Sequence, residues 1–292
     1  MTSNSAQRLF TVTASSLLDQ YTNSTQSIVT FCESLDAAIG GGVPLGQMTE
    51  FVGPSGMGKT QLCLQLAVDA RIPEPLGGVD GEVVYIDTEC TFRIGRLEQI
   101  ARFAIDHCTS MAESEAQRSA LEDFTLEKIL SGIYVQRCTD LNTFRRCVHL
   151  LQEFVSANKK VKLIVVDSIA THFREQFASA IERNHVVQSV ILQLLSVALR
   201  FNTAVRNHWL SKFVSLVLQI FVTNQVTTKW TKYGESYIAP CLGPILTSNC
   251  SHQLFVYKKS GSTRYIRLIK STAGMPCTIL MDIGEAGVRD AQ

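Results

Sequence analysis

The sequence predicts an α/β fold in which a mostly parallel sheet is flanked by helices and ends in antiparallel strands. A glycine-rich loop separates the strand-like residues 47–52 from residues 61–68, which have apolar side chains at helical spacing. Two apolar runs that end in carboxylates, residues 82–89 and 162–168, are typical of parallel strands covered on both faces. Alternating segments separated by turn residues follow after residue 252. This order favours an α/β sheet with an antiparallel edge.

The first 26 residues are polar and rich in Ser, Thr and Gln. We expect residues 1–26 to be a flexible leader, with a short partner-binding helix as the alternative. The composition becomes globular from Ile28, and we expect one domain over residues 27–292. A short helix is predicted over residues 31–39, and the glycine run 40–42 ends it.

Residues 53–60 fit the pattern G-x-x-x-x-G-K-[ST], the phosphate-binding loop of nucleoside triphosphatases. Glycines permit the tight turn and let backbone N–H groups converge on phosphate oxygens, and the following helix contributes its positive N-terminus. Lys59 would neutralise the β- and γ-phosphates, and the Thr60 hydroxyl would bind Mg²⁺. An ordinary glycine turn before a helix is the weaker alternative. The loop consists of Gly53, Pro54, Ser55, Gly56, Met57, Gly58, Lys59 and Thr60.

Beyond the loop, periodicity and turn residues predict the remaining elements in order. Helices are predicted over residues 94–109, 112–123, 141–157 and 182–201. Strands are predicted over residues 82–89, 133–137, 162–168, 221–225, 253–258, 265–270 and 277–283, of which the last three would be antiparallel.

Composition excludes several classes of protein. Hydrophobic residues make up 46% of the 292 residues and the net charge is +1, so any DNA-binding surface must be local. The nine cysteines are scattered and never spaced C-x-x-C, which favours reduced thiols and argues against a zinc site. The most apolar run, residues 214–222, is too short to cross a bilayer. We therefore expect a soluble intracellular protein that does not bind membranes.

Polar residues at strand ends suggest what happens to the nucleotide. Asp167 follows four apolar residues and fits the carboxylate that holds Mg²⁺, although a strand-terminal Asp can also cap the next helix. Glu89 could activate the attacking water as a general base, and Asp87 competes for that role. Gln225 ends another strand and could contact the γ-phosphate; spacing alone favours a surface amide.

Several motifs carry a family resemblance. The sequence resembles RecA-type strand-exchange recombinases, and among them it is most similar to the C-type group of eukaryotic recombinase paralogues. The motifs shared with the whole family are residues 85–93, 163–168 and 222–229. Those shared with the C-type paralogues are residues 28–32, 40–45, 62–69 and 120–126.

The resemblance implies a RecA-like ATPase core that uses ATP and Mg²⁺. It further implies DNA binding, to single strands and recombination intermediates, in homologous recombination and double-strand break repair. The partners would be other recombinase paralogues, and the location would be nuclear, with a cytoplasmic pool as the alternative. Within this resemblance Glu89 activates water and Gln225 senses the γ-phosphate. Three rivals share the phosphate loop: a nucleotide-bound scaffold with little ATPase activity, a ring helicase and a small-molecule kinase.

Two DNA-facing loops are also implied, one from Ala170 toward Asn184 and one from Gln225 toward Pro240. Basic and aromatic side chains in these loops are suited to phosphates and bases, although a solvated surface is the alternative for each charge. Those for phosphate are Arg174, Arg183, Lys229 and Lys232, and those for base stacking are Trp230 and Tyr233.

The sequence departs from the family pattern at several points. The small helical N-terminal domain of the family has no counterpart in this sequence. Cys90 occupies the position of a glycine that follows the catalytic glutamate, so we expect slow hydrolysis. An apolar stretch, residues 244–246, replaces a more polar one.

Residues 206–220 interrupt the strand that leads to Gln225. Joining residues 201–205 directly to residues 221–225 would restore a family-like strand. The extra segment is either a genuine insertion or a retained intron or gene-model error, and we favour the second explanation. If it is genuine, residues 215–220 could replace residues 203–205 in the strand, and a slip in register would turn buried side chains outward.

Overall fold

The computed structural model describes residue 15 and residues 26–174, 177, 179–202, 217–259 and 263–291, without side-chain detail for residues 199–202. The leader predicted over residues 1–26 lies almost entirely outside the described residues, as does most of the segment 206–220.

The described chain alternates strands and helices before it ends in consecutive strands. The strands are β1 Ser27–Ile28, β2 Val43–Pro44, β3 Met48–Val52, β4 Glu82–Asp87, β5 Ile133–Arg137, β6 Val161–Asp167, β7 Gln219–Asn224, β8 Val226–Trp230, β9 Ser236–Pro240, β10 His252–Lys258, β11 Arg264–Lys270, β12 Thr278–Gly284 and β13 Gly287–Asp290. The helices are α1 Glu33–Ile39, α2 Lys59–Asp69, α3 Ile94–Met111, α4 Glu115–Asp123, α5 Leu126–Ser131, α6 Leu141–Ala157, α7 Ala180–Asn202 and α8 Pro244–Thr247.

One sheet of nine strands organises the molecule, in the order β13-β12-β11-β10-β3-β7-β6-β4-β5. The six strands from β10 to β5 are parallel, and β11, β12 and β13 continue the sheet antiparallel. The predicted α/β class with antiparallel C-terminal strands is therefore confirmed. The carboxyl ends of β3, β4, β6 and β7 lie side by side, where a ligand site is expected in such sheets.

The two faces of the sheet are buried by different helices. On one face Leu62 and Leu66 of α2 and Ile100 of α3 pack in a cluster with strand residues such as Phe51. On the other face α6 and α7 form a second cluster around β6 and β7. Because both faces are covered, the central strands are apolar throughout rather than alternating.

Helix starts follow local sequence signals. The Ser114 and Gln117 pair forms a capping box at α4, and Asp140 accepts a hydrogen bond from Thr143 N (2.8 Å) at the start of α6. The unusually apolar stretch 244–246 forms most of α8, and its Leu246 side chain is buried in the cluster with α7.

Some predicted elements differ from the observed ones. Residues 253–258 were predicted to be antiparallel, but β10 pairs parallel with β3 and antiparallel only with β11. The loop predicted after Gln225 is a hairpin of β8 and β9, and α7 begins at Ala180, inside the other predicted loop. Cross-strand pairing decides the direction of β10 and the hairpin, and single-sequence periodicity does not report such pairing.

The segment 206–220 contributes to the sheet. Its last two residues, Gln219 and Ile220, begin β7 and pair with β3 and β6. Gln219 is buried and keeps its amide hydrogen-bonded, with Nε2 donating to Thr49 Oγ1 (2.9 Å) and Oε1 accepting from Gln47 N (3.2 Å). The strand therefore starts within the extra segment, whereas residues 203–205 lie outside the described residues.

Two simpler expectations concern cysteines and membranes. All nine cysteines lie in described parts of the chain, and each has a free thiol. Among the described helices, none combines the length and apolarity needed to cross a bilayer.

Candidate nucleotide-binding site

The phosphate loop connects β3 to α2 under close packing from the C-terminal strands. Gly58 has φ +97°, in the left-handed region that favours glycine, and directly precedes α2. At Gly53 an added Cβ would lie 2.5 Å from the carbonyl oxygen of Val256 in β10, too close for any side chain. Backbone conformation therefore favours glycine at position 58, and close packing requires it at position 53.

Lys59 is the first residue of α2 and lies against its own loop. Its Nζ donates hydrogen bonds to the carbonyl oxygens of Gly53 and Pro54, both at 2.9 Å. Burial lowers the Lys59 pKa, while the nearby carboxylates of Glu89 and Asp167 act to raise it. The loop thus holds an ammonium group on its inner side, which fits a bound phosphate.

Asp167, at the end of β6, is hydrogen-bonded to the phosphate loop and to the neighbouring strands β4 and β7. Its carboxylate accepts hydrogen bonds from Thr60 Oγ1 (2.7 Å), Tyr85 Oη (2.9 Å) and Thr223 Oγ1 (2.6 Å). Burial raises the Asp167 pKa, and these hydroxyl groups act to lower it. The donors come from α2, β4 and β7, so the environment of Asp167 is not that of a helix cap.

The Thr60 and Asp167 oxygens suit Mg²⁺, which typically keeps several waters and takes only one or two protein carboxylates. Across the described residues there is no cluster of three or more His, Cys, Asp or Glu side chains that could hold a metal by themselves. The donor set therefore fits a magnesium ion shared with a nucleotide and does not resemble a closed structural metal site.

Asp87 and Glu89 have different environments. Asp87 is fully buried, and its carboxylate accepts the backbone N–H groups of Thr91 (3.1 Å) and Phe92 (3.0 Å), so it shapes the turn after β4. Glu89 is partly exposed, and its carboxylate contacts Ser168, the residue that follows Asp167. Only Glu89 of this pair is directed into the site, which favours it over Asp87 for a role with water.

Glu89 is held by donors from three directions. Its Oε1 accepts hydrogen bonds from Ser168 Oγ (2.9 Å), Thr171 Oγ1 (3.1 Å) and Gln225 Nε2. The other end of the Gln225 amide, Oε1, accepts a hydrogen bond from the Arg174 guanidinium. Gln225 therefore lies in the site and is not an isolated surface amide.

The predicted DNA-contact residues are divided between two places. Arg174 contacts Gln225 within the site, and the Arg183 guanidinium lies 3.5 Å from Asn184 Oδ1 in the first turns of α7. Lys229 and Lys232 belong to the hairpin of β8 and β9, where Lys232 Nζ lies over the Tyr233 ring, 5.1 Å from its centroid. Trp230 and Tyr233, 71% and 80% exposed, accompany them.

Several residues of the site carry no distinct signal in the sequence. Tyr85, Thr223, Ser168 and Thr171 donate hydrogen bonds to the site carboxylates. The first three lie within the family motifs, but no spacing distinguished their hydroxyl groups from those of other residues. Glu50 is buried in β3, the strand that leads into the loop, and Asn224 Nδ2 (2.7 Å) and Gln253 Nε2 (2.8 Å) donate to its carboxylate.

Comparisons with known proteins agree with this geometry. The profile of the family described as Rad51 matches residues 22–291. The chain is similar to "DNA repair protein RAD51 homolog 3" of Cricetulus griseus, 39% identical over 283 residues that cover 96% of this chain and 72% of that protein. It is also similar to the protein of the same name from Dictyostelium discoideum, 34% identical over 282 residues, with 96% and 69% covered. The resemblance drawn from the motifs is confirmed, and the chain belongs to the Rad51 family.

Proposed function

We propose that this chain is an ATP-dependent DNA-binding protein of homologous recombination and double-strand break repair that works in complexes with other recombinase paralogues. Membership of the Rad51 family and the two relatives named as DNA repair proteins support this proposal. The observation that carries it is the convergence of Lys59, Thr60, Asp167, Glu89 and Gln225 at the carboxyl ends of adjacent strands. Its expected location is nuclear, with a cytoplasmic pool as the alternative.

The residues of the phosphate loop would hold the nucleotide. Backbone N–H groups of residues 53–60 and the Lys59 ammonium group would bind its phosphates, while Thr60 and Asp167 would hold Mg²⁺. Bound ATP with Mg²⁺ supplies a γ-phosphoryl group that can be transferred to water. The chain contributes positioning and charge, since phosphoryl transfer asks little covalent chemistry of a protein.

Glu89 is the residue we propose to take a proton from the attacking water, and Gln225 the residue that senses the γ-phosphate. Ser168 and Thr171 orient the Glu89 carboxylate through one oxygen. Because three donors already occupy Oε1, a water molecule must compete for it or use the other oxygen. This arrangement supports slow hydrolysis.

DNA binding is assigned to the region after Ala170 and to the hairpin of β8 and β9. Arg183, Lys229 and Lys232 would contact phosphates, and Trp230 or Tyr233 would stack on bases. Both aromatic side chains are highly exposed and lie beside lysines, so they do not contribute to the hydrophobic core. This exposure supports a role in binding bases.

The occupied Glu89 carboxylate also favours a second candidate function. In that case the chain is a nucleotide-bound scaffold subunit with little or no ATPase activity, and ATP stabilises an interface with a partner. The two candidates differ in whether DNA stimulates turnover.

The first experiment is binding of labelled single-stranded DNA, with and without ATP and Mg²⁺, over a salt titration. We expect ATP-dependent binding that weakens with salt and is lost in Lys59→Ala. Lys160→Ala, which removes an exposed lysine outside the site, is the matched control and should bind like the unmodified chain. DNA binding that is the same with and without ATP, and that is unchanged in Lys59→Ala, would contradict the proposal. Nucleotide binding without turnover or DNA stimulation would instead support the scaffold.

A further inference from the structure

We propose that Arg174 is a positioning residue that couples DNA to the nucleotide site: without DNA its guanidinium holds Gln225 against Glu89, and a DNA phosphate competes for the same guanidinium. This inference rests on the proposed function. It adds a physical link between the segment after β6 and the carboxylate of the site.

The Gln225 amide lies between Arg174 and Glu89 and contacts both. Arg174 can only donate hydrogen bonds and the Glu89 Oε1 atom accepts them, so an amide between the two must present its oxygen to Arg174 and its nitrogen to Glu89. This is the observed orientation. The orientation of Gln225 is therefore fixed by its two charged neighbours, and loss of either neighbour frees the amide.

Arg174 follows a turn whose side chains are packed into the protein. The turn that precedes it, residues Thr171–Phe173, is anchored by the buried ring of Phe173 against Phe144. His172 Nε2 lies 2.7 Å from the carbonyl oxygen of Cys138. The backbone is thus fixed up to residue 173, while the Arg174 side chain itself is exposed. An anion in solution can reach the guanidinium without any rearrangement of the core.

A DNA phosphate is a stronger acceptor for the Arg174 guanidinium than the Gln225 amide oxygen. A charge-assisted hydrogen bond from arginine to phosphate is roughly twice as strong as one to a neutral acceptor and can be bidentate, whereas Gln225 offers one neutral oxygen. A DNA phosphate beside Arg174 should therefore displace Gln225. The released amide no longer restrains Glu89 and can face the nucleotide, so that DNA and nucleotide favour each other.

The test measures the affinity of a fluorescent, slowly hydrolysed ATP analogue with Mg²⁺, with and without saturating oligothymidine. In the unmodified chain we expect the oligonucleotide to tighten analogue binding by about fivefold or more. In Arg174→Ala the analogue should already bind without DNA as tightly as the unmodified chain does with DNA, and the ratio should fall close to one. Saturation with oligothymidine is verified separately by anisotropy for each variant.

Two further variants separate coupling from a merely structural effect. Arg174→Ala and Gln225→Ala should be strongly non-additive in the DNA-free analogue affinity, because both break one chain of contacts. Arg174→Lys keeps a charged donor and should therefore retain part of the coupling. This variant provides the test if Arg174→Ala folds poorly. Arg102→Ala removes an exposed arginine of α3 that is paired with Glu98 and is not a residue of the site, and it should leave the coupling intact.

The outcomes distinguish this inference from the function on which it rests. Failure of the unmodified chain to bind the analogue would overturn the proposed function and the inference with it. A normal effect of DNA in Arg174→Ala would overturn the inference alone. Analogue binding without any effect of DNA would overturn the inference and, because coupling between two ligands is reciprocal, would also contradict ATP-dependent DNA binding. Additive effects of the Arg174 and Gln225 substitutions would likewise show that the two residues act independently.

Discussion

The residue after Glu89 has a backbone conformation that is unusual for its side chain. Cys90 has φ +55°, in the left-handed region, and its side chain is exposed. An L-residue pays about 1–2 kcal/mol in that region, mainly through its Cβ atom. The family glycine at this position therefore has a physical reason, and the chain keeps the conformation without the glycine. The Cys90 side chain therefore strains the backbone next to Glu89, as expected from the sequence.

Cys90→Gly should stabilise the protein. Relief of the strain is partly offset by the greater freedom of glycine in the unfolded chain, so we expect a gain of about 0.5–1 kcal/mol. Chemical denaturation measures this change. Cys90→Ala keeps the Cβ atom and should give no such gain; an equal gain in both variants would assign the effect to the thiol instead.

Asp69 is a buried carboxyl group at the end of α2. Gln65 Nε2 donates to its Oδ1 (2.8 Å), and Oδ2 has no partner among the described residues. Burial raises the Asp69 pKa well above its usual range; the Gln65 amide and nearby Arg289 act to lower it, and Asp36 acts to raise it. The folded state thus favours the protonated acid. Its contribution to stability is present below the unfolded pKa and is lost as the pH rises through the folded one.

Asp69→Asn should therefore flatten the pH dependence of stability. The amide stays neutral, so the variant should gain stability relative to the unmodified chain as the pH rises above about 4, the ordinary aspartate range. Unfolding free energies at acidic and slightly alkaline pH test this. A difference between the two proteins that does not change with pH would mean that Asp69 titrates alike in the folded and unfolded chains.

At the scale of elements, a helix and a strand far apart in sequence complete each other. Helix α1 lacks a side-chain cap from its own Cys32, and the Asp290 carboxylate of β13 accepts hydrogen bonds from Glu33 N (2.6 Å) and Ser34 N (3.1 Å). Neither element carried a sequence signal for this contact, because the usual capping pattern is local. The sequence therefore predicted α1 but neither β13 nor the contact between them.

Asp290→Ala should cost about 1 kcal/mol, and at most about 2, as expected for loss of a helix cap. Asp290→Asn keeps an acceptor oxygen and should lose less than the alanine variant. Denaturation midpoints compare the three proteins. If alanine and asparagine destabilise equally, the charge of Asp290 matters more than the hydrogen bonds that it accepts.

At the scale of the whole molecule, the extra segment decides how the centre of the sheet begins. Gln219 and Ile220 occupy the first positions of β7, between β3 and β6. In a chain without residues 206–220, Ala204 and Val205 would precede Phe221 and take these positions. Both are small or apolar and suit a strand that is buried on both faces.

Deletion of residues 206–220 should therefore leave a folded protein. We expect the shortened chain to unfold cooperatively and to be at least as stable as the full one, because the buried Gln219 amide is replaced by an apolar side chain. Helix α7 must lose its last residues to leave a connection of ordinary length. Aggregation of the shortened chain would show that the segment is required by the fold. A tryptic peptide spanning residues 206–212 from cells would show which version is made.

The sequence alone determined the phosphate loop, the parallel strands and the order of the elements. Each of these depends on local periodicity or on a short motif with a direct physical cause, as Gly53–Thr60 and the run that ends in Asp167 illustrate. The same local signals predicted β5 over residues 133–137 with its observed bounds.

Only the tertiary structure decided which side chains meet. It distinguished Glu89 from Asp87, placed Gln225 between Glu89 and Arg174, and paired β10 with β3. Periodicity reports whether a residue is buried, but hydrogen-bond partners are set by strand order and register, which bring together residues more than a hundred positions apart.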